Sequence, residues 1–196
     1  MITIEKFNFI KQKYGYVASW AIWADEGDKP KSNVGDLTVL DPSINKNLLL
    51  HLNPNVVFVG LNISRGAIKF PFANFHDKQP EATDYKIRYA FRGSPYWGGY
   101  MTDIIKNYNQ KESGRVEAYL KINPEFEKQN VKSFLEELID IDSKDPILIA
   151  FGKVTYEVLY RNLKKKVKIS KVPHYANYES KEKYRAQVKE LKDNRG

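Results

Sequence analysis

Residues 55–64, Asn-Val-Val-Phe-Val-Gly-Leu-Asn-Ile-Ser, constrain the fold more than any other stretch of this chain. A run of apolar, mostly β-branched residues that stops at Gly and Asn is the pattern of a strand buried on both faces, as in a parallel sheet, delivering a loop at its end. Asn62 would then stand at the carboxyl end of that sheet, where open α/β folds bind their ligands. A plainer alternative is that Gly60 and Asn62 only make a turn, since both residue types tolerate the left-handed backbone region.

With 196 residues and no Pro/Gly/Ser-rich linker, the chain is expected to form one domain around one core. Apolar residues make up 42% and charged residues 29% of it, with no apolar run long enough to span a bilayer. The segment Met1 to Lys13 mixes Ile4, Phe7 and Ile10 with Glu5, Lys6 and Lys11 and lacks the apolar centre of a secretory signal, so a cytoplasmic protein without membrane contact is expected. The absence of cysteine excludes disulfides, iron–sulfur clusters and thiolate zinc sites. His51, His76 and His174 have no metal-ligand spacing, and neither a metal nor a cofactor is expected. A formal net charge of +8 favours a polyanionic partner. Arg161, Lys164, Lys165, Lys166, Lys168 and Lys171 fall within eleven residues free of acidic side chains, which marks a candidate nucleic-acid-binding patch. The lysines near the C-terminus alternate with Glu179, Glu182, Glu190 and Asp193 and read as a solvated helix face.

Along the chain, Ile4, Phe7, Ile10 and Tyr14 form a helical stripe, and residues 17–24 are ambiguous between strand and loop. Residues 25–36 read as a surface loop, and Asp41-Pro42-Ser43 as a helix start with Leu48 to Leu50 buried behind it. After the strand at 55–61 comes an aromatic-rich irregular stretch, 62–80, of the length that functional loops have. A helix over 82–91, a strand over 98–105, an amphipathic helix through Val131, Phe134, Leu135, Leu138 and Ile139, and an apolar strand over 146–151 follow. Then come a helix through Val154, Val158 and Leu159, a strand over 167–172 and a charged helix from about Ser180. Strands alternating with helices imply a mostly parallel sheet with helices on both faces. Residues 60–66 lack the glycine spacing of dinucleotide or phosphate loops, and no Gly-x-Ser-x-Gly elbow is present.

Taken in order, these elements resemble the uracil-DNA glycosylase superfamily over residues 55–178. Gly60-Leu61-Asn62 is similar to the family's first motif in its Asn-bearing form; Phe75, thirteen residues after Asn62, stands where a base-stacking aromatic is placed. Tyr100-Met101-Thr102-Asp103 corresponds to the strand end that reads the base, and Val172-Pro173-His174-Tyr175-Ala176 to the last motif, which begins with His. The chain departs from the family at Ile63, usually Pro, at Asp103, usually Asn, and at Tyr175-Ala176, usually Pro-Ser. The resemblance implies a three-layer αβα domain around a mostly parallel four-stranded sheet, with residues 1–50 as a helical and loop extension packed on it.

It further implies a monomeric DNA glycosylase that hydrolyses the N-glycosidic bond of uracil or another altered base in single- or double-stranded DNA. Asn62 and His174 would be catalytic, Phe75 and Asp103 base-binding, and Lys164, Lys165, Lys166 and Lys168 would hold phosphates. An amide cannot deprotonate water, so Asn62 would position it; His174 would donate a hydrogen bond to the departing base. An ionised Asp103 accepts from the uracil ring N–H but cannot donate to the neighbouring carbonyl. Each residue also has an ordinary role to weigh: core packing for Phe75, a helix cap for Asp103, an exposed strand-end imidazole for His174. The competing functional readings are a non-catalytic nucleic-acid- or nucleotide-binding module and an α/β enzyme acting on a small anionic metabolite.

Overall fold

The computed structural model describes residues 1–64 and 66–191, built around a five-stranded, mostly parallel sheet. Helix α1 (Ile4–Tyr14) starts at Thr3, whose side chain accepts from the Lys6 backbone N–H, and it buries Phe7 and Ile10. Strand β1 (Ala18–Trp20) resolves the ambiguous stretch after α1: it pairs antiparallel with β3 (Gly99–Ile105) and forms one edge of the sheet. The four strands expected from sequence are thus joined by a fifth, contributed by the segment 1–50. Three neutral or apolar side chains, all buried, make that short edge possible.

The apolar run forms β2 (Asn53–Asn62), ten residues in the middle of the sheet, between β3 and β4 (Ile147–Phe151). Strand β5 (Lys168–Val172) closes the far edge, giving the order β1-β3-β2-β4-β5 with all pairs after the first parallel. Alternation along β2 sorts the two layers. Val57, Val59 and Leu61 face a core shared with α1, α4 (Ser113–Ile122), α5 (Pro124–Asp140) and α6 (Lys153–Leu163). Val56 and Phe58 face a core shared with α3 (Tyr85–Phe91) and α7 (Lys181–Lys189). Helix α4 gave no periodic signal strong enough to be expected; it buries only Val116 and Leu120.

The helix expected from Asp41 does not form there. The Asp41 carboxylate instead accepts from the Ser43 backbone N–H at 2.8 Å, a local turn that competes with helix. Only a short turn, α2 (Leu48–His51), follows, with Leu48 buried and Leu50 exposed. Among the described residues no helix is long and apolar enough to cross a membrane.

Candidate functional site

Four parallel strands end at one rim of the sheet, and a cleft of about 740 Å³ opens there. Asn62, the last residue of β2, lines it together with Phe75, Asp103 and His174, so residues more than a hundred positions apart in sequence meet in one place. A second hollow of about 690 Å³ shares Asn62, Phe75 and Asp103 with the first and is bounded by Ile63, Ser64 and side chains between Gly66 and Gln79.

Gly60 and Asn62 both lie inside β2, so they do not form a turn. Gly60 pairs in register with Asp103 on β3, and a Cβ at Gly60 would stand 2.2 Å from the Asp103 carboxylate. The glycine is required because a carboxylate crosses over its backbone, with the Phe75 ring next to it. The side chain of Asn62 is fixed by the loop after β3: its Nδ2 donates to the carbonyls of Tyr108 at 2.9 Å and Gln110 at 2.8 Å. With both amide hydrogens engaged, only Oδ1 is left to meet a ligand, and it can only accept. The loop is braced by Tyr108 stacked on Tyr119 at 4.2 Å, with Phe126 packed edge-on against both.

Asp103 lies within β3, ten residues before α4 begins, which removes the helix-cap alternative. It is 4% exposed and accepts one hydrogen bond from a side chain, from Nδ2 of Asn74 at 2.9 Å. Burial pushes its pKa up to about 6, against the opposing pull of the Asn74 hydrogen bond and the Lys106 ammonium. Asn74 was not singled out from sequence; its neighbour Phe75 was.

Phe75 adopts φ 64°, a conformation unusual for a bulky residue. Its carbonyl is held by the Trp23 indole N–H at 3.2 Å, and its ring packs against Phe151 at 6.2 Å in the α3/α7 core. Phe75 therefore serves as both core and cleft wall. The wall continues through Tyr175, which meets Phe151 edge-on at 5.2 Å and stacks on His174 at 4.5 Å.

His174 stands two residues after the end of β5, and its Nδ1 accepts from the Ala176 backbone N–H at 3.1 Å. An accepting Nδ1 places the ring proton on Nε2 in the neutral imidazole. Burial lowers its pKa to about 4, so the ring stays neutral at physiological pH. The loop bearing it is tied to α3 by Lys86, whose ammonium donates to the Asn177 carbonyl at 2.7 Å.

Of the lysine patch only Lys171 lines this cleft; Lys164, Lys165, Lys166 and Lys168 lie away from it. Helix α6 starts at the cleft rim with Lys153 and carries the chain back, so Lys164, Lys165 and Lys166 fall in the turn before β5. Lys168 pairs with Ile147, the first residue of β4, which puts all four exposed lysines at the amino ends of the strands. Among the described residues, the lysines that line the cleft are Lys111, Lys153 and Lys171. Of these, Lys171 belongs to the basic run read from sequence, whereas Lys111 and Lys153 lie outside it on other elements and clustering could not find them. Comparisons with protein-family models, with curated proteins and with solved structures find no match to this chain.

Proposed function

We propose that the chain is a monofunctional DNA glycosylase of the uracil-DNA glycosylase type, hydrolysing the N-glycosidic bond of an altered base. The observation that carries this reading is the meeting of Asn62, Phe75, Asp103 and His174 in one cleft at the carboxyl ends of the strands. Each presents the group that the chemistry needs. Cleaving a base from its sugar requires a flipped nucleotide held against an aromatic face, a water placed at the anomeric carbon, and a donor for the negative charge that builds on the base. Phe75 and Tyr175 supply aromatic walls, and the Oδ1 of Asn62 can hold the water by accepting its hydrogen. The Nε2–H of a neutral His174 can donate a hydrogen bond to the departing base. An imidazole with a pKa of about 4 remains in that form throughout the neutral range.

The surroundings fit a nucleic-acid strand. Lys111, Lys153 and Lys171 line the cleft beside the amino end of α6, which carries partial positive charge. Tyr178, fully exposed on the loop that follows His174, has the character of a side chain that enters the stack when a base leaves it. The deciding experiment is release of free base from labelled oligonucleotides, single- and double-stranded, each with one altered base. Wild-type protein should release at least one of them. Asn62→Ala and His174→Ala should each lower that release by about 10²-fold, as removal of a preorganised transition-state partner does, with little change in DNA affinity. DNA binding without release from any substrate would overturn the enzyme and leave the binding module.

A further inference from the structure

Among the described residues, the side chains of Asn62, Asn74 and Asp103 offer the cleft and its adjoining hollow hydrogen-bond acceptors rather than donors. Both amide hydrogens of Asn74 are engaged, one with the carboxylate of Asp103 at 2.9 Å and one with the Val17 carbonyl at 3.1 Å. Both amide hydrogens of Asn62 go to backbone carbonyls as well. His76, which borders the adjoining hollow, directs Nε2 at the Trp20 carbonyl, 3.3 Å away. Asp103, ionised, has no hydrogen to give. Each of these amides can turn only its oxygen toward a ligand, and Asn74 is itself bonded to the Asp103 carboxylate.

Uracil suits such a surface poorly. Its ring N–H lies between two carbonyls, so pairing that N–H with Asp103 brings carbonyl oxygens against acceptors with no hydrogen between them. A guanine-type edge is the complement: a ring N–H beside an exocyclic amino group, both donors, matching the two oxygens of a carboxylate. Resting on the glycosylase reading of the cleft, we infer that the site selects a base with the amino-and-ring-N–H edge of guanine, such as an oxidised or otherwise damaged guanine, and rejects uracil at neutral pH. Asp103 is the specificity-determining residue and Asn74 its positioning partner, holding the carboxylate over Gly60.

Protonation of Asp103 would create the missing donor. Asn74 and the backbone of Gly60 on β2 lie against it, and the charged groups that act on it are Lys106, on its own chain segment, and Glu137 on α5, across the strand. Lys106 opposes protonation and Glu137 favours it. His174 stays neutral over the range in which Asp103 titrates.

The test is binding of guanosine, 1-methylguanosine and uridine to the full chain, followed by calorimetry or by NMR titration at pH 7.5 and pH 5. At pH 7.5 guanosine should bind at least tenfold more tightly than uridine, and 1-methylguanosine, which lacks the ring N–H, should lose most of that advantage. The preference should shrink at pH 5 and also in Asp103→Asn at pH 7.5. Uridine binding as tightly as guanosine, equal binding of the two guanosines, or no binding of any at millimolar concentration would each overturn the inference. So would a guanosine preference that survives both pH 5 and Asp103→Asn. Base release is read separately: uracil release at pH 7.5 with no guanosine preference keeps the glycosylase and sinks its guanine selectivity. Guanosine preference without release from any oligonucleotide keeps the selectivity and sinks the glycosylase.

Discussion

The two faces of β3 each bury a carboxylate, and the two are treated in opposite ways. On the α5 face, Glu137 accepts from the hydroxyls of Tyr100 at 2.7 Å and Thr102 at 2.9 Å and pairs with the Lys106 ammonium at 2.6 Å. Lys106 also donates to the Asp103 carbonyl at 2.7 Å, so the network pins the strand at the point where it reaches the cleft. On the other face, Asp103 has one side-chain donor and a cleft beside it. Glu137 is surrounded by groups that neutralise it and is structural. Asp103 is left short of donors at the edge of a cavity, as groups that await a ligand are.

Removing Glu137 should produce the largest change in stability. Glu137→Ala leaves the Lys106 ammonium without its carboxylate and two buried hydroxyls without their acceptor, at a cost of about 3–5 kcal/mol in chemical denaturation. The same measurement on Asp103→Asn should move the other way as pH rises. With its pKa raised to about 6, the folded chain binds a proton that the unfolded chain has released above about pH 4. Folding stability therefore falls between about pH 4 and pH 6 and stays lower above that window, by about 3 kcal/mol from this one group. Asp103→Asn removes that dependence, so the difference between the two proteins should open across that window; a difference independent of pH would mean that Asp103 is not buried as a lone carboxylate.

Gly60→Ala acts on Asp103 from β2. Its methyl would meet the carboxylate, and overpacking of this kind costs about 1–3 kcal/mol. Base selection should change with it, whereas a volume change on the Glu137 face should leave selection alone. The smallest effects belong to the lysines. Replacing Lys164, Lys165 and Lys166 with Ala should alter stability by no more than about 0.5 kcal/mol and leave the salt dependence of DNA binding as it was. Replacing Lys111, Lys153 and Lys171 should flatten it, by roughly 0.7–0.9 in log–log slope for each phosphate that is no longer neutralised. The reverse pattern would move the DNA surface to the amino ends of the strands.

Local pattern made much of the fold legible. The apolar runs of β2 and β4 and the stripe of α5 could be read because burial on a known face imposes a period on the residues that lie there. Edge strand β1 was ambiguous because three residues are too few to display a period. Helix α4 was missed because it turns only two side chains into the core. In the cleft, Asn62, Asp103 and His174 could be picked out because each lies near a strand end, and Phe75 through the thirteen-residue spacing of the resemblance. Asn74, Tyr175 and Lys111 could not.

What the sequence determined by itself is the alternation of strand and helix, and with it a mostly parallel sheet whose loops gather at one rim. Short-range hydrophobic periodicity is written directly into neighbouring residues, so no distant partner is needed to read it. Which charges and hydrogens face the cleft was decided only by the tertiary structure. The run from Arg161 to Lys171 is continuous in sequence, yet α6 and β5 carry most of it to the wrong end of the sheet, because a helix between parallel strands must return the chain to where the next strand begins. The accepting character of the Asn62 and Asn74 amides arises in the same way. Each amide of Asn62 and Asn74 could in principle donate or accept, and the backbone carbonyls of Tyr108, Gln110 and Val17, together with the Asp103 carboxylate, claim the hydrogens and leave the oxygens.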